Sequence, residues 1–148
     1  MHCVVRCEFD AGHRLLGHTG RCCNLHGHRY VVETHIGMPG EEDASTAVLD
    51  ALGMLVDFGI LKSRINGWLD SNWDHAFMVN SKDVALLALL GSVGEHTRTF
   101  VFDGNPTAEA MASLLLNEVV PKCLDGTGAA VVKVVVWETP NCRVEASA

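Results

Sequence analysis

Cys22-Cys23-Asn24-Leu25-His26-Gly27-His28 runs straight on into Arg29-Tyr30-Val31-Val32-Glu33-Thr34-His35-Ile36-Gly37, and the reading of that join decides the fold. From about residue 27 to 37, Tyr30, Val32, Thr34 and Ile36 alternate with Arg29, Glu33 and His35, the period of a half-buried β-strand. His26 and His28 are two apart, so in an extended segment their imidazoles project from one face. Gly27 puts no side chain between them. Upstream, residues 2–9 alternate in the same way. Cys3, Val5, Cys7 and Phe9 fall on one side and His2, Arg6 and Glu8 on the other, as in a strand with one wet face. His13 is expected just past the end of that strand. Residues 14–25 show no periodicity and are rich in Gly, His, Arg and Cys, which reads as a functional loop.

With His13 as a third nitrogen, His26 and His28 make an open three-histidine metal site. Zinc suits it, because catalytic zinc sites take three protein ligands and leave a fourth position for water or substrate. A purely structural zinc would want a fourth protein ligand, which His18 or Cys23 could supply; such closed sites are usually cysteine-rich. Cys22, four residues before His26, is placed to be a reacting thiol rather than a ligand. The thiolate, not the thiol, is the reactive form, and a nearby cation favours it.

Further along, residues from Gly37 to about Gly53 form a surface loop over 38–53 containing Glu41-Glu42-Asp43. Asp57 is a helix N-cap, followed by Phe58, Leu61, Ile65, Trp68 and Leu69 at helical spacing. A short apolar helix is expected over Val84 to Leu90 and a brief extended piece over residues 97–102. Asn105-Pro106-Thr107 starts a second long helix, with Glu109 in its first turn, Met111, Leu115 and Val119 on its core face, and Pro121 at its end. Val131 to Trp137 is a central strand and Cys142 to Glu145 a last one. The chain is thus expected to be a single α+β domain over 1–148, in the order β-β-α-α-β-β. Its economical assembly is an antiparallel four-stranded sheet with two helices on one face.

The net charge of −7 argues against a nucleic-acid partner, which needs a basic face. No apolar run is long enough to span a bilayer, so no membrane partner is expected. The spacing of the six cysteines (3, 7, 22, 23, 123 and 142) is wrong for a secreted disulfide scaffold, and a reduced, cytoplasmic protein with mostly buried thiols is expected.

Several short motifs in one order then resemble the 6-pyruvoyl-tetrahydropterin synthase and 6-carboxy-tetrahydropterin synthase family, nearly from end to end. They are Phe9-x-Ala11-x-His13-Arg14-Leu15, Cys22-x-x-x-His26-Gly27-His28, Val56-Asp57-Phe58, Trp73-Asp74-His75 with Asn80, Pro106-Thr107-x-Glu109 and Glu138-Thr139. The resemblance implies a T-fold whose sheets join into a barrel, with the chains as a homohexamer built from two trimers. It implies His13, His26 and His28 as zinc ligands, Cys22 as catalytic base, and Asp74 with His75 as the rest of the proton-transfer group. Glu138 resembles the pterin anchor, since a carboxylate matches the amino-pyrimidine edge. Thr107 is either a hydrogen-bond partner of the ring or a helix cap, and Arg14 and Arg29 are candidates to meet a triphosphate. Glu138 or Asp74-His75 is expected to reach the metal of a neighbouring chain.

Within the family, the three-residue spacer between Cys22 and His26 is similar to that of the bacterial 6-carboxy enzymes of queuosine (7-deazaguanine) biosynthesis. The implied reaction is a zinc-dependent lyase step converting 7,8-dihydroneopterin triphosphate to 6-carboxy-5,6,7,8-tetrahydropterin, with release of acetaldehyde and triphosphate. The alternatives are a 6-pyruvoyl synthase that stops before carbon–carbon cleavage, a non-catalytic zinc or pterin-binding module, a zinc hydrolase, and a T-fold cyclohydrolase acting on GTP. Asp10, where a serine or glutamate is usual, Trp73, in place of a leucine, and the longer 38–53 loop depart from the family pattern.

Overall fold

The computed structural model describes residues 1–39 and 49–148. Most of the loop expected over 38–53, including its acidic stretch, lies outside the described residues.

Strand β1 (Cys3–His13) and strand β2 (His26–Gly37) pair antiparallel in unbroken register, from Cys3 opposite Ile36 to His13 opposite His26. Residues directly opposite share a face. Val5, Cys7, Phe9, Ala11 and His13 therefore lie beside Thr34, Val32, Tyr30, His28 and His26 on the face that packs inward. Both strands are longer than their alternation indicated. His13 is the last residue of β1, because Asp10–His13 pair with His26–Arg29.

Helix α1 (Phe58–Asn72) starts at Asp57, whose carboxylate accepts the Gly59 N–H at 2.6 Å. Leu61, Ile65 and Leu69 are its buried stripe, whereas Phe58 is 57% exposed and so not part of the core. Strand β3 (Ala76–Asn80), helix α2 (Val84–Val93) and strand β4 (Thr99–Phe102) follow. Helix α3 (Ala108–Leu114) continues through a π-helical turn, Leu115–Val119, into a last turn, Val120–Cys123. Pro121 was expected to end this helix and does not. The wide turn, in which the Val120 N–H donates to the Leu115 carbonyl, relieves the clash that would otherwise break the helix at proline. Strands β5 (Ala130–Thr139) and β6 (Cys142–Ser147) close the chain.

Among the described residues the sheet has six strands, in the order β4-β3-β1-β2-β5-β6. The expected antiparallel four-stranded sheet is its β1-β2-β5-β6 portion and not the whole. β3 pairs parallel with β1, and β4 parallel with β3. Parallel neighbours need a crossover, which α1 and α2 supply. β4 is the brief extended piece expected over residues 97–102, whereas β3, at five residues, is too short for alternation to announce it. Among the described residues there are three helices: the two expected to cover the sheet and α2, the short apolar helix expected over Val84 to Leu90, which runs on to Val93. α1 and α3 cover the inward face, where Leu61, Ile65, Leu69, Met111, Leu115 and Val119 meet Phe9, Tyr30, Val32 and Val134. α2 packs Leu86 and Leu90 on Val79, which points opposite to Met78 of the main core.

Trp73 is fully buried, with ring centroids 5.5 Å from Phe9 and 5.8 Å from both Phe100 and Phe102. Such pairs contribute about 0.5–1.5 kcal/mol each beyond area burial. They fix the chain immediately before Asp74. The thiols are not mostly buried. Cys7 is, and burial pushes its pKa up to about 11, but Cys23 and Cys142 are exposed and the other three partly so.

Candidate metal centre and adjoining cleft

The His13–His26 register puts two imidazoles side by side at the end of β1 and β2, and His28 adds a third one pleat repeat down. His13, His26 and His28 each present a ring nitrogen, and these nitrogens lie within 4.8 Å of one another, so the group could hold a metal ion. Their tautomers are set by the backbone. His13 Nδ1 donates to the Pro106 carbonyl at 2.8 Å, and His26 Nδ1 donates to the Asn24 carbonyl at 2.8 Å. Each is thereby left an Nε2 lone pair, and these face each other at 3.1 Å, with the Tyr30 hydroxyl 3.3 Å from His13 Nε2. Two lone pairs at that distance repel unless a proton or cation sits between them.

His28 Nε2 is buried without a hydrogen-bond partner. Metal–nitrogen bonds of about 2.0–2.1 Å in a tetrahedral site set ligand nitrogens about 3.3–3.4 Å apart, close to the spacing of the His13–His26 pair. Burial holds the His13 imidazole below its usual pKa, against the Pro106 bond and with help from His26. Burial does the same for His28, against the charge of Glu138. Neutral imidazoles are what a metal needs. The donor set fits the ion.

Gly27 makes this geometry possible. A Cβ there would stand 2.9 Å from the Ala11 carbonyl oxygen, a backbone atom in the partner strand. Gly27→Ala must push β2 off β1 between the two histidines. Metal affinity is expected to fall by about tenfold to a hundredfold, the scale on which ligand-orienting contacts act. Titration with Zn²⁺ against a chromophoric chelator checks this, and an unchanged affinity would show that the two strands can separate without cost to the site.

Glu138 projects to the same place from β5. A register shift between Trp137 and Thr139 brackets it, and bulges of this kind re-aim side chains. Its Oε1 lies 3.7 Å from His13 Nε2 and 3.9 Å from His28 Nε2. Glu138, Cys22 and Thr107 line one cleft of about 340 Å³, together with Glu109 and Cys142. Cys22 is half-buried in a 3₁₀ turn, Arg21–Cys23, not in an extended segment. Cys23 is exposed on the same turn. Thr107 caps α3, accepting the Ala110 N–H at 3.2 Å, and it also faces the cleft. Both readings of Thr107 thus have a physical basis.

Asp74 and His75 are paired, with His75 Nδ1 2.7 Å from Asp74 Oδ2. Burial pushes the Asp74 carboxyl upward, but the Asp10 N–H and His75 outweigh it and hold it below the usual carboxylate range. His75 adopts φ +55°, a left-handed conformation that costs a non-glycine residue energy. Its N–H donates to the Asp10 carbonyl at 2.7 Å, and Arg98 donates to the Asp74 carbonyl at 3.0 Å. This pair does not line the cleft of Cys22 and Glu138. His75 borders a different one, of about 700 Å³, which His26 and His28 of the metal centre also line, with Asp10, Leu25, Arg29 and Phe77. The His75 side chain is 77% exposed there.

Arg14 and Arg29 are each engaged in a two-point fork. Arg14 holds Asp83 at 2.6 Å through both oxygens, and Arg29 holds Asp10 at 3.0 and 2.8 Å. Asp10, a departure from the family pattern, is thus the partner of Arg29. Sequence reasoning missed Tyr30 and the Pro106 carbonyl as parts of the centre. Tyr30 is fully buried, edge-on to His13 at 6.0 Å between ring centroids. Its strand position was legible, but a backbone carbonyl carries no residue-type signal. Glu109 was read only as a helix-dipole residue.

The sequence model of the family described as 6-pyruvoyl tetrahydropterin synthase matches residues 2–148. The chain is 41% identical over 145 residues to a Rickettsia bellii protein named 6-carboxy-5,6,7,8-tetrahydropterin synthase, covering 97% of each chain. It is 31% identical over 141 residues to the Haemophilus influenzae protein of the same name, covering 93% and 92%. An uncharacterized protein from Wolinella succinogenes has a similar structure, with a TM-score of 0.79 at 22% identity, covering 99% of this chain and 97% of that one. The 6-pyruvoyl tetrahydropterin synthase of Caenorhabditis elegans is similar in fold, with a TM-score of 0.63 at 24% identity over 100% and 95%. In its strands, its histidine cluster and its whole length, this chain belongs to the 6-pyruvoyl tetrahydropterin synthase family.

Proposed function

We propose that the protein is a zinc-dependent 6-carboxy-5,6,7,8-tetrahydropterin synthase. It converts 7,8-dihydroneopterin triphosphate, with uptake of one water, to the 6-carboxy product, acetaldehyde and triphosphate. The observation that carries this reading is the cluster of three imidazole nitrogens with the Glu138 carboxylate 3.7 Å from His13, Glu138 lining one cleft with the Cys22 thiol. The relatives from Rickettsia bellii and Haemophilus influenzae, both named for the carboxy product, favour it over the pyruvoyl product.

His13, His26 and His28 would hold the zinc. When bound, zinc supplies a Lewis acid that polarises the oxygens of the substrate side chain. Cys22 takes a proton from a side-chain carbon of the substrate. Glu138 accepts from the amino-pyrimidine edge, which requires it to turn from the imidazoles towards Thr107 and Cys22. The Thr107 oxygen is an acceptor in the helix cap, and its O–H remains free to donate to the ring. Asp74 fixes His75 as the tautomer protonated at Nδ1, leaving Nε2 to take up or deliver a proton.

Glu138 stands beside the triad of its own chain, and of the two groups expected to cross between subunits we assign that role to Asp74-His75. The pair lies outside the cleft that Glu138 shares with Cys22 and would serve the substrate held by a neighbouring copy in a hexamer of two trimers. The test is chelation. Stripping metal from the protein is expected to abolish consumption of 7,8-dihydroneopterin triphosphate, and stoichiometric Zn²⁺ to restore it. Turnover that survives stripping contradicts the reading.

A further inference from the structure

The three residues that follow His13 are each tied down separately. Arg14 forks onto Asp83, and the Leu15 N–H donates to the Cys22 carbonyl at 2.8 Å. Leu16 is held at both backbone groups by one side chain. Its N–H donates to Asn105 Oδ1 at 2.8 Å, and its carbonyl accepts from Asn105 Nδ2 at 3.0 Å. An amide bound in this way mimics a strand neighbour. Its second oxygen lone pair accepts from Asn80 Nδ2 at 2.8 Å. Asn80 is 7% exposed, and its own oxygen accepts the Lys82 N–H at 2.9 Å, so neither amide can flip without losing bonds.

Asn105 also begins the segment whose next two residues serve the centre. Pro106 orients His13, and Thr107 lines the cleft with Cys22. One short stretch thus sets the metal ligand, the cleft wall and the loop that carries the thiol.

We infer that Asn105, braced by Asn80, is a positioning residue that holds the Cys22 loop in register with the histidine centre. This rests on the reading of Cys22 as the base. The Asn80 of the Trp73-Asp74-His75 motif thereby acquires a role: it connects the end of β3 to the thiol loop without touching substrate. The loop has no regular secondary structure beyond the 3₁₀ turn, so these side-chain bonds replace a strand ladder. Losing a reacting group's placement by about 1 Å costs on the order of a hundredfold in rate.

The test uses the full-length, zinc-loaded protein and iodoacetamide, with alkylation followed by mass spectrometry at the Cys22 peptide and, as internal reference, at the Cys142 peptide. Cys142 lines the same cleft from a different turn. In Asn105→Ala, alkylation at Cys22 is expected to rise by about threefold or more as the loop opens locally, with Cys142 unchanged. Turnover is expected to show kcat down by about tenfold to a hundredfold with KM within about twofold. Asn80→Ser, which removes the brace and leaves Asn105 its bonds to Leu16, is expected to move both readouts in the same direction by less. It serves where Asn105→Ala does not fold. Alkylation at Cys22 unchanged from the wild type, or changed equally at Cys142, overturns the inference. If Cys22→Ala keeps its turnover while Asn105→Ala still speeds alkylation at Cys22, the catalytic reading of Cys22 fails and the anchoring of its loop stands.

Discussion

Replacing Cys22 by alanine is expected to lower kcat by about 10²–10⁴-fold, the usual worth of a positioned general base, with zinc affinity unaltered. The imidazoles are oriented by the Pro106 and Asn24 carbonyls, neither of which touches the thiol, so the metal centre survives the change. Cys23→Ala is the natural control. Cys23 is exposed on the same 3₁₀ turn, and its loss is expected to leave kcat within about twofold, as a surface change should. Steady-state rates of the two variants at matched zinc content make the comparison. Equal loss in both would place the effect in the turn and not in the Cys22 thiol. Full activity in Cys22→Ala would remove the base from the account and favour a hydrolase or a binding module.

The second large effect is expected at Glu138. Glutamine keeps the shape but gives up the charge and one of the two acceptors that face an amino-pyrimidine edge. Hydrogen bonds to a charged group are each worth about 1.5–3 kcal/mol, so kcat/KM is expected to fall by about 10²–10⁴-fold in Glu138→Gln. Because the group binds a part of the substrate that does not react, much of the loss belongs in KM. Binding of a pterin without the triphosphate side chain, followed by fluorescence, isolates that contribution. If Glu138→Gln binds such a pterin as tightly as the wild type does, the carboxylate is not the anchor. Its position 3.7 Å from His13 Nε2 would then be its whole function.

Much of this centre was legible in the sequence for a simple reason. His26, Gly27 and His28 lie on a strand, where a period of two fixes which side chains share a face, and β1 brings His13 opposite His26 by plain antiparallel register. Alternation located β1 and β2, a nearly continuous β-branched run located β5, helical spacing gave the buried stripe of α1, and the capping roles of Asp57 and Thr107 followed from residue type and position. What could not be read was non-local. β3 and β4 are short and join the sheet in parallel, through crossovers that leave no periodic trace. The π turn that accommodates Pro121 has no signature of its own. Cys22 and Cys23 lie on a 3₁₀ turn that no periodicity announces, because the 14–25 loop is shaped by Asn105, 89 residues along the chain from Leu16.

The forks of Arg14 on Asp83 and Arg29 on Asp10 are of the same kind. A carboxylate far along the chain, or across a strand, decides whether an arginine is free to meet a substrate phosphate. These two are engaged, and composition alone gave no hint of it.

The most direct test is the mass of the pterin formed when zinc-loaded protein is incubated with 7,8-dihydroneopterin triphosphate. The expected product is 6-carboxy-5,6,7,8-tetrahydropterin, with one acetaldehyde released for each triphosphate. A 6-pyruvoyl product with triphosphate but no acetaldehyde would contradict the carbon–carbon cleavage and make the protein a synthase of the pyruvoyl type.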